Sequence, residues 1–225
     1  MKKKFAWTFC LIVFGLVISS LPAMAGDLYD NLGSPVSYNC CSGWTVSGTG
    51  TVGTSFIAAN EFTPIFTGSG EIETINIGIG YVAGDNLFNV SIHNVAAGGG
   101  PGSQVPGALW MNLSSGTTFG QCCGLVSIPV NSLVSLASGT AYYMEIAPTS
   151  FTSTTWEAWN FSTSAVGDDQ YSTDFGVTWN DNGVQPQGAF EIVQESATTP
   201  EPSSLLLLGT GVLGVVGTIR RKLKR

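Results

Sequence analysis

Between residues 70 and 195 apolar and polar positions alternate with a period of two, and long helical periodicity is missing. In "ETINIGIGY" Ile75, Ile77, Ile79 and Tyr81 fall on one face. In "NLFNVSIHNV" Phe88, Val90 and Ile92 do the same, which is the signature of half-buried strands. Gly84-Asp85-Asn86 between them is a turn signal that predicts a hairpin. "GLVSIPV", "AYYMEIA", "STTWEAWNF" and "GAFEIV" are further strand candidates. Gly-, Asn- and Pro-rich stretches such as "AAGGGPGSQVPG" and "WNDNGVQPQG" separate them and read as loops. Short alternating strands with frequent turns predict an all-β, antiparallel β-sandwich, jelly-roll-like in its connections.

The two ends follow a different pattern. Lys2, Lys3 and Lys4 precede an apolar run from Phe5 to Ile18, and Ala23-Met24-Ala25 offers small residues for cleavage. Residues 1–25 therefore read as a secretory signal peptide. At the other end Ser203 to Ile219 is apolar or small throughout, and Arg220, Arg221, Lys222, Lys224 and Arg225 follow at once. As a helix this run reaches about 25 Å, short of the roughly 30 Å hydrocarbon core unless the bilayer thins or the basic side chains snorkel. The expected organisation is a signal peptide at 1–25, an extracytoplasmic domain at 26–195, a linker at 196–202 and a transmembrane helix at 203–219. A basic tail at 220–225 would stay cytoplasmic by the positive-inside rule.

Charge changes the picture most. All eight Lys and Arg lie in the two terminal segments, so the body from Gly26 to Pro200 has none, while it holds fourteen of the fifteen Asp and Glu. Nucleic acids and phosphates are bound through cationic side chains; the body is excluded from that chemistry. Neutral ligands, cations and cationic partners remain electrostatically comfortable.

Cys40-Cys41 and Cys122-Cys123 remain once a signal peptide is removed. In an exported protein an even count predicts disulfides. Bridging adjacent cysteines strains the geometry, so two cross-links between the pairs are expected. The alternative is a zinc site, for which His93 is the one available imidazole.

Pro200-Glu201-Pro202, the apolar run and the basic end together resemble the PEP-CTERM sorting signal of exported Gram-negative proteins. That resemblance implies handling by an exosortase, an integral membrane processing enzyme, and association with bacteria that make exopolysaccharide or biofilm matrix. The body from Leu28 to Val193 resembles the choice-of-anchor β-sandwich domains. "NEFTPIFTGSGEIETINIGIG", "GGGPGS", "LASGTAYYMEIAP", "WEAWNF" and "QGAFEIV" carry the likeness. It implies the sandwich and no particular activity.

Candidate chemistry is sparse. His93 lies in antiphase to Phe88, Val90 and Ile92, on the polar strand face, and no G-x-S-x-G elbow accompanies it. Glu145, Glu157, Asp168, Asp169 and Asp174 are the carboxylates from which a glycosidase pair would be drawn. "GDDQYSTD" brings Asp168, Asp169 and Asp174 together in sequence as a calcium candidate, with "NDNG" adding Asp181 and Asn182; the competing reading is Asx turns. Trp156, Trp159, Tyr171, Phe175 and Trp179 concentrate in one quarter of the body. An unbroken strand through "TWEAW" puts Trp156 and Ala158 on one face and Glu157 and Trp159 on the other, so one tryptophan is expected at the surface. Trp156, Glu157 and Trp159 are thus the candidate ligand surface. The resulting expectation is an exported, non-enzymatic surface or matrix protein, tethered to the inner membrane during sorting, that needs no cofactor and contacts polysaccharide. The alternatives are an extracellular glycan hydrolase using a carboxylate pair, whose activity a change at Glu157 or Asp169 would abolish, and a spacer without a ligand.

Overall fold

The computed structural model describes residues 26–33 and 36–195, the Cys41 side chain apart. The segments expected at 1–25, 196–202, 203–219 and 220–225 lie outside these residues. Among the described residues eleven strands form: β1 (Asp27–Asp30), β2 (Tyr38–Ser47), β3 (Ile57–Phe62), β4 (Ile72–Ala83), β5 (Phe88–Val95), β6 (Pro101–Leu113), β7 (Leu125–Pro129), β8 (Tyr142–Pro148), β9 (Trp156–Ser172), β10 (Asn180–Gly188) and β11 (Phe190–Gln194). The described helical structure is one turn, α1 (Thr49–Val52), and no helix among the described residues is long and apolar enough to cross a membrane.

Every described pairing is antiparallel, as the alternation predicted. The hydrogen-bonded path runs β1-β11-β4-β9-β3-β8-β5-β6, with β10 and β2 joined to β9 and β7 to β4. β4 explains why the sheet is continuous. Its first part, Ile72 to Gly78, pairs with β11 and β7, and its last part, Ile79 to Ala83, pairs with β9, so it joins one group of strands to the other. Strands far apart on the path nevertheless share one core. Phe190 of β11 meets Phe62 of β3 edge-to-face at 5.3 Å and Trp159 of β9 at 5.9 Å. Ile75, Ile77 and Ile79 lie in the same cluster as Val90, Ile92, Met144 and Ile146. Burial of this apolar face, at roughly 25 cal/mol per Å², is what drives the two layers together.

The sequence pattern misplaced three features. The hairpin expected across Gly84-Asp85-Asn86 does not form, because β4 bonds β7, β9 and β11 whereas β5 bonds β6 and β8. The connection instead leads to β5, which lies beyond β9, β3 and β8 on the hydrogen-bonded path. Gly84 adopts a left-handed φ of 75° against the Thr154 carbonyl, and the Asn86 side chain accepts from Ser115 N–H at 2.9 Å and donates to the Thr117 carbonyl at 2.9 Å. The two stretches read as loops are largely strands, β6 and β10. Both follow a single neighbour with repeated register shifts, and Pro106 and Pro186 are tolerated on such one-sided strands.

Candidate functional site

β2 begins with an irregularity. Asn39 pairs with Phe161 and Gly43 with Asn160, so Cys40, Cys41 and Ser42 bulge out of the ladder. Cys40 is disulfide-bonded to Cys123 across 83 residues with Cα atoms 5.1 Å apart, and Cys122 is likewise in a disulfide. The Cys40–Cys123 cross-link joins the two pairs, and it removes both sulfurs from any zinc site. Immediately after the bulge Gly43 lies against the Trp159 backbone, where a Cβ would collide with its carbonyl. β2 is thereby held close to β9, and Trp44 and Thr45 follow directly after the bulge, paired with Trp159 and Ala158.

A groove of about 350 Å³ opens there. Its lining comes from Gly43, Trp44 and Thr45 of β2, Phe56, Ile57 and Ala58 at β3, Asp169 and Tyr171 of β9, and Asn182 of β10. Trp44 is fixed: its indole N–H donates to the Pro186 carbonyl at 3.0 Å, and its ring meets Phe161 edge-on at 5.1 Å. Asp169 is 1% exposed. Asn60 donates to its Oδ1 at 2.7 Å and Asn182 to its Oδ2 at 3.1 Å. Asn60 is itself locked, because its Oδ1 accepts the Gly188 N–H at 2.7 Å. Desolvation pushes the Asp169 carboxyl up to about 6, against the lowering effect of the two amides.

The calcium candidates do not converge. Adjacent residues of β9 point to opposite faces, so Asp168 accepts from the Tyr143 hydroxyl and from Gln170 at 3.0 Å, away from Asp169. Asp174 lies in the loop after β9, where Oδ1 accepts from the Thr178 N–H and the Ser172 hydroxyl, both at 2.8 Å, and Oδ2 from the Thr178 hydroxyl at 2.6 Å. These bonds hold its carboxyl down near 2 and match the Asx-turn reading. Asp181 accepts the Gly183 N–H at 2.6 Å in a similar turn. A carboxylate trio that does converge is Asp27, Asp30 and Glu191, with oxygens within 4.8 Å of one another. The β1–β11 pairing assembles it from residues about 160 positions apart, so local spacing held no signal of it.

The expected ligand surface of Trp156, Glu157 and Trp159 is not formed. Strand alternation acts as anticipated, but the face carrying Glu157 and Trp159 is the interior one. Both are 0% exposed, while Trp156 is half-buried on the other side. Trp159 donates its indole N–H to the Ala189 carbonyl at 3.2 Å. Neither carboxyl oxygen of Glu157 has a hydrogen-bond partner, and burial pushes that carboxyl up to about 8.

His93 also falls short of a catalytic relay. Its Nδ1 lies 2.9 Å from the Gly102 carbonyl, which can only accept, so Nδ1 carries a proton. Nε2 then faces both the Ser91 hydroxyl at 3.0 Å and Glu145 at 3.2 Å. A nucleophile–base–acid relay needs the acid on the opposite ring nitrogen from the hydroxyl. Here both share one nitrogen, an arrangement that fastens β5, β8 and the start of β6 together. Burial raises the Glu145 carboxyl, and the His93 ring opposes that rise.

These features define an all-β, disulfide-linked module with a groove lined by β2, β3, β9 and β10. Its C-terminal segment, residues 198–222, matches the PEP-CTERM protein-sorting motif. The motif marks the chain as an exported protein, membrane-anchored during sorting and processed by an exosortase. No curated protein matches the chain. Among solved structures it is similar to the cysteine protease and lectin-like domains of Cwp84, a surface-layer-associated protein of Clostridium difficile, at 12% identity and a TM-score of 0.41. That match covers 64% of this chain and 33% of the other.

Proposed function

We propose that the exported body is a non-enzymatic, jelly-roll-like binding module that holds extracellular polysaccharide in the groove between β2, β3, β9 and β10. It acts at the cell surface or in the exopolysaccharide matrix after its sorting tail has been processed. The observation that carries this reading is Asp169 in the groove lining, oriented by Asn60 and Asn182 and flanked by Trp44 and Tyr171. An acid and an amide fix sugar hydroxyls by hydrogen bonds, and aromatic faces take the apolar faces of sugar rings. The absence of Lys and Arg from the body favours uncharged or cationic glycans over acidic ones.

Hydrolysis is less well supported. Glycoside hydrolysis uses two carboxyl groups across the scissile bond, and among the described lining residues Asp169 is the one carboxylate. Incubating the exported protein on a glycan array, with chromatography of the glycans afterwards, tests the reading. Binding without new reducing ends is expected. Release of reducing sugar would transfer the proposal to a hydrolase, and failure to bind any matrix glycan would leave a structural spacer.

A further inference from the structure

The groove's chemistry is lopsided, and this points to a narrower ligand class. Asp169 has lost its water and received only two neutral amide donors in return. An ionised carboxylate accepts at about four positions, so acceptor capacity remains. The neighbouring Asp168 and Asp181 add negative potential at Asp169, and the body supplies no Lys or Arg to offset it.

We propose that the Asp169 subsite takes an ammonium group, and hence that the groove selects glycans built from amino sugars with free amines. The proposal rests on the carbohydrate-binding reading above and specifies its ligand. Asn182 is exposed and forms the longer of the two amide bonds, 3.1 Å, so it is the partner that an entering ammonium displaces. Asn60 stays, because its amide is buried and tied to Gly188. Trp44 and Tyr171 line the same groove, and aromatic faces attract cations at short range. The groove volume of about 350 Å³ suits a short stretch of sugar rings. An N-acetyl group replaces the cation by a neutral amide and crowds a methyl against the buried carboxylate, so acetylated rings are disfavoured twice.

The test is calorimetric titration of the exported protein, at roughly 150 mM salt to screen general attraction. The probes are a fully deacetylated glucosamine hexamer and its N-acetylated counterpart. A charge-assisted bond predicts about a ten- to hundredfold preference for the free amine. Asp169→Asn should erase that preference, and hexalysine should not compete. Circular dichroism verifies that Asp169→Asn folds. If it does not, Tyr171→Leu, which removes an aromatic face from the groove wall, should weaken amine binding instead. Equal binding of both hexamers overturns the amine selectivity while leaving the glycan groove in place, and binding of neither overturns both. Competition by hexalysine reduces the effect to non-specific charge and also overturns the inference.

Discussion

Glu157 is an acid folded into the core with no hydrogen-bond partner for either carboxyl oxygen. Its ordinary pKa is 4.5 and burial raises it to about 8. The folded protein therefore holds the protonated form, while the unfolded chain releases the proton once pH passes 4.5. Stability is full below that value, declines as pH rises between the two values and levels off above the folded one. Each pKa unit is worth about 1.4 kcal/mol, so the Glu157 carboxyl costs about 3 kcal/mol at pH 7 and approaches about 5 kcal/mol above pH 8. Glu157→Gln keeps the shape and removes the titration. Urea unfolding of the oxidised protein, wild type against variant, isolates this residue, since Asp169 and Glu145 titrate alike in both. Near pH 4.5 the two should agree within about 1 kcal/mol. At pH 7 the variant should be more stable by about 3 kcal/mol, equivalent to roughly 6–12 °C in melting temperature for a protein of this size. A gap that stays constant from pH 4.5 to pH 9 would refute the claim that Glu157 is buried and neutral.

Three further outcomes follow from particular contacts. Gly188→Ala drives a Cβ into the Trp159 indole and should cost about 1–3 kcal/mol or abolish folding, whereas Gly98→Ala meets nothing within 4 Å and should change the urea midpoint little. Reducing the disulfides at Cys40–Cys123 and at Cys122 frees a loop spanning 83 residues and should lower stability by about 4–5 kcal/mol in urea titrations; an unchanged midpoint would argue against the Cys40–Cys123 bond. Because residues 26–200 contain no Lys or Arg, trypsin should leave that stretch intact even after denaturation and reduction. The masses of the intact exported protein before digestion then locate the tail cut, and a full-length tail on all exported molecules would sink the processing step.

What the sequence disclosed and what it hid divide along the range of the interactions. Period-two alternation marked Ile75, Ile77, Ile79, Phe88, Val90 and Ile92 as core, and all six are buried. β6 and β10 were hidden because their Gly and Pro residues suit bulged, one-sided strands as well as they suit loops. In "TWEAW" the alternation was legible, but which face turned inward was not. That depends on the packing of Trp159 against Phe190, 31 residues later. The groove was less legible still. Asp169 and Tyr171 were noted for calcium and for an aromatic cluster, yet Trp44, Asn60 and Thr45 stand more than a hundred residues earlier. The β2–β9 and β3–β9 ladders alone bring them together.

The most direct test of the central claim is nuclear magnetic resonance mapping of the isotopically labelled exported protein, titrated with matrix glycans. Binding in the groove should give saturable shifts centred on the Trp44 indole N–H, Thr45, Tyr171 and the Asn182 side-chain amide, with Trp159 and the His93 ring unmoved. Glycan-induced shifts gathered on another face, or none with any glycan, would contradict it.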